Sequence, residues 1–331
     1  MSEEININGP INFIKLINNN YEINIFIDTV EYNIKKCDNT YENIDIDKYL
    51  INLFKNTKNK YNFYIYNFVN LNETKQYNYI DNVLKIQNSL SLFKNIKFIK
   101  YHFEKKINFD NFDNFINSYY NIFYFNRKKI NILSDNLNSL ILDCNKILVF
   151  DYNSLFSKKD ETHKIILNNI LNNYFINKIK LLISECNILI KYIAENKDLL
   201  KEIYTNDKYY ETLKNIFKSK ENICENLIYL LSFLDVYNII LKILGHKTIK
   251  NIIHLSLNHS CILIWLLINY FNFKIVYKSY SDEIIDDGLL LGINKIFKNL
   301  DIMNITTIIF LKNYLNNNSI HCIHIEKNLL E

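Results

Sequence analysis

Glycine and proline are almost missing from this chain, with 4 and 1 copies in 331 residues. That scarcity excludes the Gly-, Pro- or Ser-rich linkers that separate domains. The length would hold two domains, yet 1–331 reads as a single α/β unit. The favoured residues, Asn, Ile, Lys, Tyr and Phe, have AT-rich codons, whereas Gly and Pro have GC-rich ones. The bias is therefore largely one of nucleotides from an AT-rich genome, and Asn18 to Asn20 and Asn316 to Asn318 read as tolerated loops. No two cysteines stand at CxxC spacing: Cys37, Cys144, Cys186, Cys224, Cys261 and Cys322 are far apart. A disulfide framework and a zinc knuckle are thereby excluded, and reduced, mostly buried thiols are expected.

Three further signals are missing. The opening MSEEININGP has neither the basic nor the apolar region of a signal peptide. The longest apolar run, Cys261 to Phe271, is broken by Asn269 and stops short of the about 20 residues that a membrane span needs. The formal charge of +4 is small for the length and is dispersed among acidic residues, so no electrostatic footprint for nucleic acid is present. Together these predict a soluble, intracellular, cytoplasmic protein.

What is there is apolar and aromatic: 49% hydrophobic and 15% aromatic residues predict a packed globular fold. Tyr21 to Asp28 (YEINIFID) reads as a buried strand. Ile46, Tyr49, Leu50, Leu53 and Phe54 then fall at helical spacing, with Asp45 placed to cap the first turn. Strands follow at Tyr61 to Phe68 and Ile96 to Phe103. From about 110 to 245 the pattern turns helical, interrupted only by a strand-like KILVFD at Lys146 to Asp151. Its best-defined helix, Asn226 to Leu244, ends at Gly245 and carries one polar stripe of Ser232, Asp235, Asn238 and Lys242. Lys250 to Leu257, Ser260 to Phe271 and Asn272 to Ser279 then form a β-α-β unit. The fold class expected is α/β, with a mostly parallel central sheet from about 20–105 and 250–280. Flanking helices, a large helical insertion over about 110–245 and a C-terminal extension over 281–331 complete it.

The candidate site lies at strand ends. In an open α/β sheet, ligands bind beyond the carboxyl ends of the strands. His259 stands at such an end, close to the positive terminus of the following helix, which disfavours imidazolium. His254, inside the strand, reads as structural. The Tyr21 strand also ends in acid, at Asp28-Thr29-Val30-Glu31. Were the two strands parallel neighbours, Asp28, Glu31 and His259 would converge, and carboxylate with imidazole can hold a divalent metal or act as a base and its orienter. Asp235 either lies on a solvated edge or lines a cleft. His321-Cys322-Ile323-His324 would put its histidines on opposite faces of a strand, which argues against a metal site. Gly288 to Gly292 lacks the residues of a phosphate loop and reads as a lead into a helix over Ile293 to Leu300.

The spread of NIFIDTVEYN, IDKYLINLF, NFYIYNF, IKFIKYHF, LDVYNIILKIL and NIIHLSLNHS resembles uncharacterised proteins of large nucleocytoplasmic DNA viruses. These are distantly similar to the TraB, Tiki and erythromycin-esterase-like superfamily with its Gly-x-x-His motifs. The resemblance covers roughly Asn24 to Ser279. It implies that the first motif falls on Asp28-Thr29-Val30-Glu31, the second on Ser256-Leu257-Asn258-His259, and an Asp-x-Tyr pattern on Asp235 and Tyr237. Only Thr29 and His259 match the superfamily. Asp28 and Ser256 replace glycines that let the backbone approach a ligand, Glu31 replaces a histidine, and Leu257 replaces an acidic residue.

The expectation is a non-catalytic, degenerate hydrolase-like protein of viral type that acts by binding a host protein or a small-molecule ligand in the host cytoplasm. The alternative is a metal-dependent hydrolase. There His259, Asp235 and Tyr237 would be the catalytic candidates, Asp28, Glu31 and His259 the metal ligands, and a divalent metal the cofactor. No other cofactor is expected.

Overall fold

The computed structural model describes residues 4–28, 37, 42–57, 60–66, 93, 96–101, 110–126, 130–156, 159–201, 207–245, 250–279, 294–300, 322–326 and 329–330. The chain divides into two compact units, one of residues Met1–His102 with Val236–Glu331 and one of Phe103–Asp235.

The first unit is α/β. Its strands are β1 (Glu4–Asn8), β2 (Asn12–Ile17), β3 (Glu22–Asp28), β4 (Glu42–Asp45), β5 (Tyr61–Tyr66) and β6 (Ile96–Tyr101), with helix α1 (Ile46–Asn56) between β4 and β5. The expected first strand is thus the third. The chain leaves β1 through Gly9, at φ 122°, a conformation open to glycine. It then forms a β2–β3 hairpin closed by Asn18. The Asn18 carboxamide oxygen accepts from the amides of Asn20 (2.9 Å) and Tyr21 (2.8 Å), so one arm of the asparagine run is a built turn.

Two sheets result. The larger has the order β6-β5-β7-β3-β2-β8, where β7 is Lys250–Ser256 and β8 is Lys274–Lys278; the smaller is β4-β1-β9, with β9 at Cys322–Glu326. Both are mixed, which corrects the expectation of a mostly parallel sheet. β6, β5, β7 and β3 run parallel, but β2 is antiparallel to both β3 and β8, and β1 pairs parallel with β4 and antiparallel with β9. A hairpin forces that reversal, because two strands joined by a tight turn can only be antiparallel.

Between β7 and β8 lies helix α2 (Leu257–Tyr270), and the two strands are separated in the sheet by β3 and β2. The expected β-α-β unit is therefore present as a wide crossover. α2 is apolar on all sides because it is covered on both: it contacts β3 and β7, while Trp265 Nε1 donates to Leu300 O (2.8 Å) and Asn269 Nδ2 to Phe297 O (3.1 Å) in the segment 294–300. Asn272, at φ 55°, ends it in a left-handed turn from which the amides of Phe271 and Phe273 both return to Leu267 O.

On the other face, Phe13, Phe26, Tyr61, Phe63 and Ile252 pack with Ile46, Tyr49, Leu50, Leu53 and Phe54 of α1 and with Ile5, Ile7, Ile323 and Ile325 of the small sheet. Each of these α1 side chains stabilises by about 1.5–3 kcal/mol relative to exposure. Asp45 holds the N-cap position, but its carboxylate makes no bond to the helix, contrary to expectation, and reaches Lys48 instead (3.4 Å).

The second unit is helical. It comprises α3 (Asp110–Phe123), α4 (Ile130–Leu148), α5 (Glu161–Ile170), a π-helical turn over Leu171–Ile176, α6 (Asn177–Glu195) and α7 (Asp207–Gly245) as far as Asp235. The expected strand at Lys146 to Asp151 is instead the end of α4. Leu133, Leu137, Leu140, Cys144 and Ile147 continue one buried helical face, and a short apolar run does not distinguish strand from helix. α7 is by length and composition the one helix, among the described residues, able to cross a membrane; 61% of its apolar window is buried within the fold, as in the core helix of a globular protein.

Candidate functional site at the β3–β7 carboxyl edge

β3 and β7 are parallel neighbours, paired from Glu22 opposite Lys250 to Asp28 opposite Ser256. The condition for convergence is met, and it brings together a partly different set of residues from the expected one. Side chains alternate along a strand, so His254, two residues before Ser256, shares a face with it, and Asp28 lies level with Ser256 on that face. His254 Nε2 and Asp28 Oδ2 stand 3.6 Å apart with side-chain exposures of 0% and 2%. That separation is ion-pair range for a protonated ring, beyond a hydrogen bond. Asp28, expected to converge with His259, thus lies within ion-pair range of His254, which is buried inside β7.

Ser256 sits where β7 turns into α2. Its backbone is extended (φ −69°, ψ 159°), the N-cap conformation, but its hydroxyl makes no bond to the helix amides. Ser256 Oγ instead hydrogen-bonds His259 Nδ1 at 2.6 Å, both side chains buried, the donor depending on the imidazole tautomer. One turn on, Ser260 Oγ is fully buried and makes no hydrogen bond. Sequence reasoning counted Ser256 only as a lost glycine. The signal that would have found it is its spacing: the N-cap and third helical positions face each other, as in a capping box.

Of the other candidates, Asp235 is half-buried on α7 in the helical unit, whereas Tyr237, two residues on, is buried in the α/β unit with His259. Thr29 and Glu31 lie outside the described residues, as do Gly288 to Gly292, Asn316 to Asn318 and His321. Among the described residues no group of three or more His, Cys, Asp or Glu side chains forms a set that would hold a metal ion. His324 is bonded through Nδ1 to Asn6 (2.9 Å) and through Nε2 to Glu4 (2.7 Å), which ties β9 to β1.

The cysteines need one correction. Cys37 and Cys322 are joined in a disulfide, while Cys144, Cys186, Cys224 and Cys261 are free and buried, as expected for all six. With a sequence separation of 285 between the bonded pair, spacing could not reveal it. Burial pushes three of the free thiols up, Cys144 to about 12, Cys224 to about 11 and Cys186 as well, which keeps them neutral.

No protein-family model, curated protein or solved structure matches the chain.

Proposed function

We infer that the chain acts by binding, as a non-catalytic α/β protein whose strand-end site is the remnant of a hydrolase-like one. The carrying observation is the closed Ser256–His259 contact of 2.6 Å between two buried side chains. Beside it, Asp28 faces His254 inside the core. These contacts tie the two strand ends together inside the core and so have a place in the fold that needs no chemistry. The motif resemblance supports the same reading, since the replaced glycines and acid are the residues a working edge would use. A viral protein directed at a host protein or small molecule is the form of this reading that the resemblance favours.

The test is turnover of a panel of aryl esters and small peptides, with and without Zn2+ or Mn2+, by the wild-type chain and by His259→Ala and Ser256→Ala. Equal, background rates are expected from all three. Turnover abolished by His259→Ala would overturn the inference.

The alternative of a metal-dependent hydrolase has one observation in its favour. Fixing one imidazole nitrogen by a hydroxyl leaves the other oriented, the arrangement that outer partners impose on metal-bound histidines. It needs Glu31 as a further ligand, and it predicts bound metal that His259→Ala removes. Metal content equal in wild type and variant sinks it.

A further inference from the structure

The disulfide joins two points that the backbone already holds together. Cys37 N–H donates to Asn8 Oδ1 (3.1 Å), and Asn8 is the register partner of Cys322 in the β1–β9 ladder. Two tethers independent of the bond, a side-chain hydrogen bond and a strand pairing, therefore keep both sulfurs beside the same residue of β1. Such pre-positioning raises the effective concentration of one thiol near the other, so a broken bond re-forms rather than scatters. Cys37 and Cys322 keep 8% and 9% exposure, against 0–3% for the four free cysteines, whose burial leaves them out of reach of a small disulfide.

We propose that Cys37 and Cys322 are a reversible redox latch on the small sheet β4-β1-β9, closed by exchange with a low-molecular-weight disulfide such as oxidised glutathione. In closing, the thiolate of one cysteine attacks a sulfur of glutathione disulfide and releases one glutathione thiolate. The second cysteine attacks the mixed disulfide and releases the other. Two cysteine thiols are oxidised, one glutathione disulfide is reduced to two glutathione thiols, and the protons pass to the departing thiolates. Opening is the reverse. The latch controls how firmly β9, which arrives from the far end of the chain, is held on β1.

The test equilibrates the full-length chain in buffers stepped from reduced to oxidised glutathione, followed by alkylation and mass spectrometry. A second readout is hydrogen exchange at Glu4–Asn8 and Cys322–Glu326. The expected result is a thiol count falling from six to four in one step, with Cys37 and Cys322 lost together. Exchange at β1 and β9 should be faster in the reduced form, and that at β3 and β7 unchanged. The melting temperature should fall by roughly 5–10 °C on reduction, since the bond closes a very long loop. Cys37→Ser should match the reduced wild type; if that variant fails to fold, reduction of the folded wild type decides. Six thiols at every ratio, a bridge formed by another cysteine, or exchange at β9 indifferent to redox state each overturn the latch.

Discussion

The two units bury polarity in different ways. Among the described residues, every polar side chain with 2% exposure or less, namely Asn12, Asn24, Asp28, Asn62, Asn251, His254, Ser260 and Ser279, belongs to the α/β unit. The buried polar groups of the helical unit, such as Lys178, Thr212, Lys220, Asn226 and Ser232, keep 3–8%. A helix turns about 100° per residue and can carry a polar residue round to a rim. A central strand covered on both faces has no rim, so its polar side chains must find partners inside. One such pair crosses the sheet, where Asn62 Nδ2 donates to Asn251 Oδ1 (3.2 Å). The helical unit instead lays lysine stems along aromatic rings: Lys178 over Tyr229 at 5.4 Å, and Lys220 over Phe217 at 5.1 Å and Phe123 at 5.6 Å. Enclosed polarity in this protein should therefore be costly to disturb, and rim polarity cheap.

The sharpest way to break that contrast is Asp28→Ala, which leaves His254 enclosed without its carboxylate. A loss of about 3 kcal/mol is expected in chemical denaturation, and less than 1 kcal/mol would show that the pair does not matter to the core. Next comes Lys278, buried at the end of β8 and held down to about 7 by desolvation. The unfolded chain keeps its proton up to roughly pH 10.4, so between about 7 and 10.4 it binds more protons than the folded one, and stability should rise with pH across that window. Lys278→Met should flatten the rise and gain about 1–2 kcal/mol at pH 7; an unchanged slope would assign it to another group.

In the helical unit, Lys220→Ala removes a hydrogen bond to Phe123 O (3.0 Å) at the end of α3 together with both ring contacts. A smaller loss, about 1–1.5 kcal/mol, should follow, and a loss as large as that of Asp28→Ala would erase the distinction between the units. The smallest effect is at Asp160, the exposed N-cap of α5. The His163 amide donates to its carboxylate and holds it below the usual carboxylate range. Its contribution is present above about pH 3.9 and lost as pH falls through the lower folded value. A slight decline of helix signal at acid pH should disappear in Asp160→Asn.

The helical unit is also the one whose face pattern was legible. Leu133, Leu137, Leu140 and Cys144 announce their helix by spacing alone, and the only misreading, KILVFD, came where four apolar residues in a row carry no period. In the α/β unit, β3, α1, β5, β6, β7 and β8 could each be found from hydrophobic pattern. β1 and β2 were not found, although EININ alternates in β1, because runs of five and six residues are too short to stand out by pattern, and the tail strand around Cys322 to His324 was read without its place beside β1. The site divides in the same way. His259 and Asp28 were visible as strand-end residues. The division of labour among Asp28, His254, Ser256 and His259 was not, since it depends on which strand lies beside which.

Composition and local pattern by themselves determined an apolar α/β chain with a helical middle, a buried Lys250–Tyr270 strand-to-helix junction and a histidine at its turn. Periodicity is a property of neighbouring residues and survives in one dimension. Tertiary structure alone decided the reversal of β2, the register that sets Asp28 opposite Ser256, and the closing of Cys37 on Cys322. Each depends on strand pairings fixed by the packing of both sheet faces, and that packing has no counterpart in the order of residues along the chain.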